Sequence, residues 1–299
     1  MRQIIGVLAS HQIAAAKVAG GRLQGTISFY PESGGPAHVL DGMPAEEITR
    51  CILQQIDRAR AGAGVSAAGV ALPGIAREGI VLESPNLPQI KGLRLQETLA
   101  AALQQTGEPI PVRIFNDSDA MAAGLASIQG SLDKLIRVWY LGHGVGFGRY
   151  PWTDGVWEGG HSVVSLDAKE RFCACGGRGH LEGIMGVRAM RLRFLDLEPE
   201  EVFESARTGD KRCGDFVKLW HRALAAATAT SISMEGPGKF FLTGPNARLV
   251  ELPRLDIDLR DMVKMSALQG SQFEVVETDF ETGIIGAAVN AEIATEGSG

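Results

Sequence analysis

The feature that most limits how this chain can fold is the stretch from residue 158 to residue 182. It reads Glu158-Gly-Gly-His161 and, after a short interval, Cys173-Ala-Cys175-Gly-Gly-Arg-Gly-His180-Leu-Glu182. His161, Cys173, Cys175 and His180 are four soft or borderline ligands within twenty residues. Two cysteines one residue apart, with a histidine before and another after, make the closed tetrahedral set that a structural zinc prefers. The glycines between them let a short loop wrap an ion. The plainer alternative is a pair of reduced cysteines in a glycine-rich turn, but the locality of all four ligands favours zinc.

Hydrophobic periodicity places the rest. Strands are expected at 3–9, 12–18 and 22–29, then a helix over 45–61 carrying Ile48, Cys51, Ile52 and Ile56 on one face. A buried strand at 66–72, a loop over 75–91, a helix at 93–105, a strand at 111–115 and a helix at 118–128 follow. The second half opens the same way, with strands at 135–141 and 145–150 around Gly142-His-Gly-Val-Gly146. Helices over 186–195, 198–206 and 211–234, strands at 239–243 and 273–277, and a small-residue helix at 283–294 complete it. Alternating strands and helices imply an α/β chain. The expected domains are 1–115, completed by the helix at 283–296, and 116–282, which contains the zinc loop 158–182.

Bulk properties exclude several classes. A chain of 299 residues with 45% hydrophobic and 21% charged residues is globular and can hold two domains. Its net charge of −6 argues against nucleic acid as a partner. No helix-turn-helix-sized segment precedes the first strand, so a DNA-binding repressor is not expected. Ser10, His11 and Gln12 interrupt the N-terminal apolar run, which reads as strand–turn–strand rather than a signal peptide. No segment approaches the ~20 apolar residues that span a bilayer. Cys51 and Cys213 read as free thiols, which suits a reducing, cytoplasmic setting.

The loop 158–182 resembles the zinc loop of the ROK family of sugar kinases and sugar-responsive repressors, with His180 standing where that family has a third cysteine. The resemblance extends over nearly the whole chain and implies a two-domain actin-like fold. Val70-Ala-Leu-Pro73-Gly74, Ser84-Pro-Asn86-Leu-Pro88 and Phe115-Asn116-Asp117-Ser-Asp-Ala-Met resemble the family's sugar-side segments. By that resemblance Asn86, Asn116, Asp117, Glu158, His161 and Glu182 contact a hexose, and Asp117 takes the proton of the hydroxyl that is phosphorylated. A carboxylate at a strand end, backed by an amide, can orient and deprotonate an alcohol. Taken alone, Asp117 also reads as a helix N-cap. Resemblance further suggests a homodimer.

The nucleotide side departs from the family. The first phosphate loop, Asp-x-Gly-Gly-Thr in ROK kinases, matches Leu8, Ala9, Ser10, His11 and Gln12 here. Leucine cannot supply an oxygen to magnesium. His11 and Gln12 carry side chains where glycines would let amides approach a phosphate. The second loop keeps its glycines in His143-Gly144-Val145-Gly146 but loses the hydroxyl. Tyr150, Trp152 and Trp157 cluster just beyond it. Trp152 and Trp157 can stack on a sugar face, or the cluster can be a small satellite core.

The expectation drawn is therefore an enzyme that acts on a hexoside without ATP or magnesium, most simply a glycoside hydrolase. Glu158 and Glu182 would serve as its carboxylate pair, with Asp117 assisting. The alternatives are an ATP-dependent hexose kinase with an aberrant phosphate loop and a non-catalytic sugar sensor.

Overall fold

The computed structural model describes residues 2–32, 39–60, 64–106, 109–155, 157–277 and 279–296. Residue 61, the expected last residue of the first helix, lies outside them. In chain order the first elements are β1 (Gln3–Ala9), β2 (Ile13–Ala19), β3 (Arg22–Tyr30), α1 (Ala45–Arg60) and β4 (Ala67–Leu72). The hairpin β5 (Ile75–Arg77) and β6 (Ile80–Glu83), α2 (Leu95–Thr106), β7 (Val112–Asn116) and α3 (Asp117–Ile128) follow. The hairpin occupies the segment expected to be a loop; it is short and its alternation is weak, so periodicity missed it.

The next elements are β8 (Ile136–Leu141), β9 (Val145–Tyr150), α4 (Glu182–Met185), α5 (Val187–Arg193), α6 (Pro199–Arg207) and α7 (Lys211–Glu235). The chain then forms β10 (Lys239–Thr243), α8 (Leu252–Met262), β11 (Gln272–Val275) and α9 (Phe280–Glu296). Helix α8 was not anticipated. Among the described residues no helix is long and apolar enough to cross a membrane.

The chain divides into two compact units. The first comprises Met1–Ile136, Gly148–Trp157 and Asp279–Gly299; the second comprises Arg137–Phe147 and Glu158–Thr278. The sequence reading set a boundary at residue 115, whereas α3 belongs with the first unit. The reason is packing of backbone on backbone, described below.

The first unit is built on a five-stranded sheet in the order β3-β2-β1-β4-β7. Strands β1, β2 and β3 form an antiparallel meander, and β1–β4 and β4–β7 are parallel. Helix α1 buries Ile48, Cys51, Ile52 and Ile56, with Glu46 and Glu47 in its first turn and Arg58 and Arg60 in its last, each complementing the helix dipole. The other principal helix of this unit, α9, is rich in small residues, and they decide its position. A Cβ on Gly6 of β1 would lie 2.0 Å from the Ile284 carbonyl oxygen, and one on Gly69 of β4 2.0 Å from that of Ala287. On the same helix, Gly286 lies against the Ala120 carbonyl, and Gly124 of α3 against that of Thr282. Only glycine admits such contact, so α3 and the sheet are both pressed onto α9.

The second unit places β11, β10, β8 and β9 side by side in that order. Its core joins Trp139, Trp220, Phe203, Phe240 and Leu242 with the inner face of the long helix α7.

Gly69→Ala should destabilise the protein by about 1–3 kcal/mol, the usual cost of overpacking. Gly64→Ala, with nothing within 4 Å of the added methyl, should stay within about 0.5 kcal/mol of the parent. Urea unfolding of both variants checks this; equal midpoints would show that α9 does not depend on this contact.

Candidate active site

In the first unit the candidate residues gather where β4 and β7 end, with Leu72 and Asn116 in register. Carboxyl ends of parallel strands are where open α/β sheets bind ligands. Gly74 has φ of 108°, and a Cβ there would lie 2.1 Å from the Glu83 carbonyl oxygen. The segment after β4 thus runs against the one after β6, and the Ser84 hydroxyl ties them by donating to the Pro73 carbonyl at 2.8 Å. Asn86 is exposed on the second of these segments.

Asn116 is the cap of α3. Its Oδ1 accepts from the amides of Ser118 and Asp119 at 2.8 and 3.2 Å, and its Nδ2 donates to the Gly74 carbonyl at 2.7 Å. The cap role that the sequence also allowed for Asp117 therefore belongs to its neighbour. Asn116 spends its oxygen and one amide hydrogen on the scaffold. Asp117 opens the helix and is partly buried; burial raises its pKa, opposed by the amide and hydroxyl of Ser118.

Sequence reasoning missed Asp119. It is buried, 4% exposed, and its Oδ1 accepts from the Arg149 amide at 2.9 Å. Burial pushes its pKa up to about 7, the charge of Asp117 adds to the rise, and the Arg149 amide opposes it. The available signal was the apolar run from Ala120 to Ala126, which marks a helix buried all round and so places Asp119 inside.

The aromatic cluster resolves into parts. Trp152 packs edge-on against Phe115 at 5.1 Å, and buried Tyr150 donates to the Leu132 carbonyl at 3.2 Å. Trp152 is half-buried there and Tyr150 is buried. Trp157 is exposed, with the Arg149 guanidinium 5.2 Å over its ring. Near the end of β1 Leu8 is buried, and Gly283 of α9 passes so close that a Cβ there would lie 2.8 Å from Leu8 Cδ2. His11 sits at the β1–β2 turn with its ring 5.9 Å from Phe280.

In the second unit the four expected ligands converge. Cys173 Sγ lies 3.3 Å from Cys175 Sγ and 3.5 Å from His161 Nδ1, and His180 Nδ1 lies 3.2 Å from both His161 Nδ1 and Cys175 Sγ. All four ligand atoms fall within 4.8 Å of one another. Bonds of ~2.0–2.3 Å at tetrahedral angles separate ligand atoms by about 3.3–3.8 Å, so this set fits a zinc ion. Burial lowers the pKa of His180, with help from His161, which keeps the imidazole neutral and able to ligate. The loop is fastened by a Val163–His180 bridge, by Gly179 donating to the Glu170 carbonyl at 2.9 Å, and by the Glu170–Arg193 ion pair.

Glu158 is exposed, its Oε2 3.8 Å from His161 Nε2. Glu182 is partly buried, and its Oε2 accepts from the Val145 amide at 3.1 Å.

Two α/β units, the first opening with an antiparallel meander, make up the actin-like ATPase fold of the ROK sugar kinases. The chain belongs to the ROK family, whose model matches residues 41–291. A glucokinase from Pyrobaculum calidifontis is 29% identical over 230 residues, which cover 71% of this chain and 73% of that one. The crystal structure of a ROK hexokinase from Thermus thermophilus superposes with a TM-score of 0.77 at 21% identity, covering 99% of each chain. That of a ROK glucokinase from Streptomyces griseus, in complex with glucose and AMPPNP, has a TM-score of 0.67 at 23% identity and covers 97% of this chain and 99% of that one.

These relatives overturn the glycoside-hydrolase expectation: they are sugar kinases, and one was crystallised with a nucleotide analogue. Nor do they support excluding ATP and magnesium. The departure at residues 8–12 is local, whereas the family match runs over residues 41–291.

Two outcomes are expected here. Metal analysis should find close to one zinc per chain, and Cys175→Ala should lose it together with loop stability, because metal binding and loop folding are coupled. A metal-free protein with an unchanged melting curve would contradict this. The second concerns Asp119, whose pKa in the fold exceeds its unfolded value of ~3.9. Stability that it contributes in acid is lost as pH rises from about 4 through 7. Asp119→Asn, which keeps an oxygen for the Arg149 amide, should therefore gain stability relative to the parent between pH 5 and 8. Parallel stability–pH curves would contradict it.

Proposed function

We propose that this protein is an ATP-dependent hexose kinase. The observation that carries the reading is the ROK-family match over residues 41–291, which takes in the sugar-side segments, the 142–146 turn and the metal loop. The similarity to a glucokinase supports a hexose as the acceptor. Fold alone would not establish activity, since many functions share one fold.

Asp117 is the proposed base. The acceptor hydroxyl loses its proton to the Asp117 carboxylate as its oxygen attacks the terminal phosphorus of ATP, and the bond to the departing ADP breaks. Burial raises the proton affinity of Asp117, which strengthens its ionised form as a base. Asn116 positions it, and Asn86 is proposed to bind hexose hydroxyls. In the second unit Glu158 and His161 are proposed to add sugar contacts, His161 while it also ligates zinc. A homodimer in a reducing, cytoplasmic setting belongs to the same proposal, supported by the buried free thiols of Cys51 and Cys213.

One observation favours a second reading, a sugar sensor without turnover. Leu8 stands buried where ROK kinases carry an acid, so the end of β1 offers magnesium no carboxylate at that position. Magnesium commonly keeps several waters and binds through substrate phosphates with one or two carboxylates, so turnover does not require that ligand alone.

Incubation with a panel of hexoses and Mg-ATP decides between the two. A kinase forms sugar phosphate and ADP, and Asp117→Asn should lower kcat by roughly 100- to 10,000-fold. Hexose binding without any sugar phosphate would leave the sensor reading, and an unchanged kcat in Asp117→Asn would remove Asp117 as the base.

A further inference from the structure

Three segments of the second unit meet at the last residues of β8. The backbone amide of Asn246, in the segment after β10, donates to the Leu141 carbonyl at 2.9 Å. The Val187 amide at the start of α5 donates to the Gly142 carbonyl at 3.2 Å, and a Cβ on Gly186 would lie 2.8 Å from the His143 carbonyl oxygen. The 142–146 turn is thus bordered by α5 on one part of its backbone and by residues 244–246 on another. Asn246 is 2% exposed, and its Nδ2 has no hydrogen-bond partner among the described residues. A buried donor of that kind calls for a polar group that these residues do not supply.

Charge around the turn is unevenly matched. Glu182 Oε2 accepts from the Val145 amide at 3.1 Å, which brings negative charge to the turn. Helix α5 carries three arginines. Arg191 pairs with Glu198 at 2.8 Å, and Arg193 pairs with Glu170. Arg188 comes first, directly after the Val187 tether to Gly142; it is exposed, and its side chain makes no ion pair or hydrogen bond among the described residues. A guanidinium holds five donors in a planar fork that suits phosphate, and Arg188 keeps its fork uncommitted.

We propose that Arg188 is a binding residue for the phosphates of a nucleotide, supplying positive charge that the 142–146 turn lacks. The proposal rests on the kinase reading, in which this turn receives phosphates. Backbone amides of a glycine-rich turn orient a phosphate. A phosphate settling on this turn also meets the charge of Glu182, and like charges brought together cost affinity unless a cation offsets them. The end of β1 adds no carboxylate to hold magnesium, so the metal draws less help from the protein. An arginine stays ionised at any working pH and binds phosphate through two parallel N–H donors. It offsets the charge without a metal ligand.

Calorimetric titration with Mg-ATP and, separately, with glucose tests this on the parent protein, Arg188→Ala, Arg188→Lys and Arg191→Ala. Arg188→Ala should weaken Mg-ATP binding by about tenfold or more, the loss of a charge-assisted contact, while glucose affinity stays within about twofold of the parent. Arg188→Lys keeps the charge but not the fork, and its Mg-ATP affinity should fall between the two. Arg191→Ala removes a cation of the same helix that already pairs with Glu198, and should bind Mg-ATP within about twofold of the parent. Added salt should weaken Mg-ATP binding less in Arg188→Ala than in the parent, because a screened attraction has been removed. A residue that only shaped the fold would leave that salt dependence unchanged. An Arg188→Ala that binds Mg-ATP as the parent does, that loses glucose to the same degree, or that is matched by Arg191→Ala would overturn the proposal and leave the kinase reading intact. So would an unchanged salt dependence. A parent protein that binds glucose but not Mg-ATP would overturn both.

Discussion

The closest approach in the first unit is that of α9 to everything around it. Carbonyl oxygens of Ile284, Ala287 and Thr282 stand where Cβ atoms of Gly6, Gly69 and Gly124 would be, and the Ala120 carbonyl stands where that of Gly286 would be. Helix, sheet and α3 meet backbone to backbone, and the gaps between them are too thin for side chains. The position of α3 follows, and with it the position of Asp117 at its first turn. Asn290 extends the same contact, its buried amide donating to the Asp119 carbonyl at 3.5 Å. The candidate base is thus held from beneath by a helix more than 160 residues later in the chain.

Each unit holds its own candidate residues by different means. Asn116 holds the sugar-side residues by satisfying two orphan amides of α3 and one carbonyl of the neighbouring segment. That side chain keeps one amide hydrogen unspent, and Asp117 beside it keeps its carboxylate. Asp119 beside it shows the cost of this crowding: a second carboxylate in the same helical turn, whose proton affinity is raised first by burial and further by the charge of Asp117. The metal loop works by ligand convergence instead. Its four ligand atoms lie within 4.8 Å of one another, and just beyond them Glu182 accepts from the Val145 amide.

The β1–β2 turn is the point of greatest tension between the sequence and the proposed activity. Leu8 is not a surface substitution at a binding loop; it is buried against α9 at Gly283. An apolar side chain there packs on the same helix against which α3 is pressed.

What the sequence determined by itself was whatever is local. His161, Cys173, Cys175 and His180 lie within twenty residues, so their spacing alone specified the metal set. The α/β alternation and the amphipathic face of α1 were legible because burial repeats at the period of the element. The segment holding Asn116 and Asp117 was legible as a motif, but not the division of labour within it. Which of the two caps α3 depends on φ/ψ at a single residue and on the carbonyl of Gly74, 42 residues away. The tertiary structure decided the rest: that Trp152 belongs to Phe115, that Asp119 lies inside, that α3 joins the first unit, and that Glu182 turns toward Val145. Each of these depends on which atoms arrive opposite a side chain from distant parts of the chain. A sequence read in windows records what a residue can donate, accept or bury, but not what it meets.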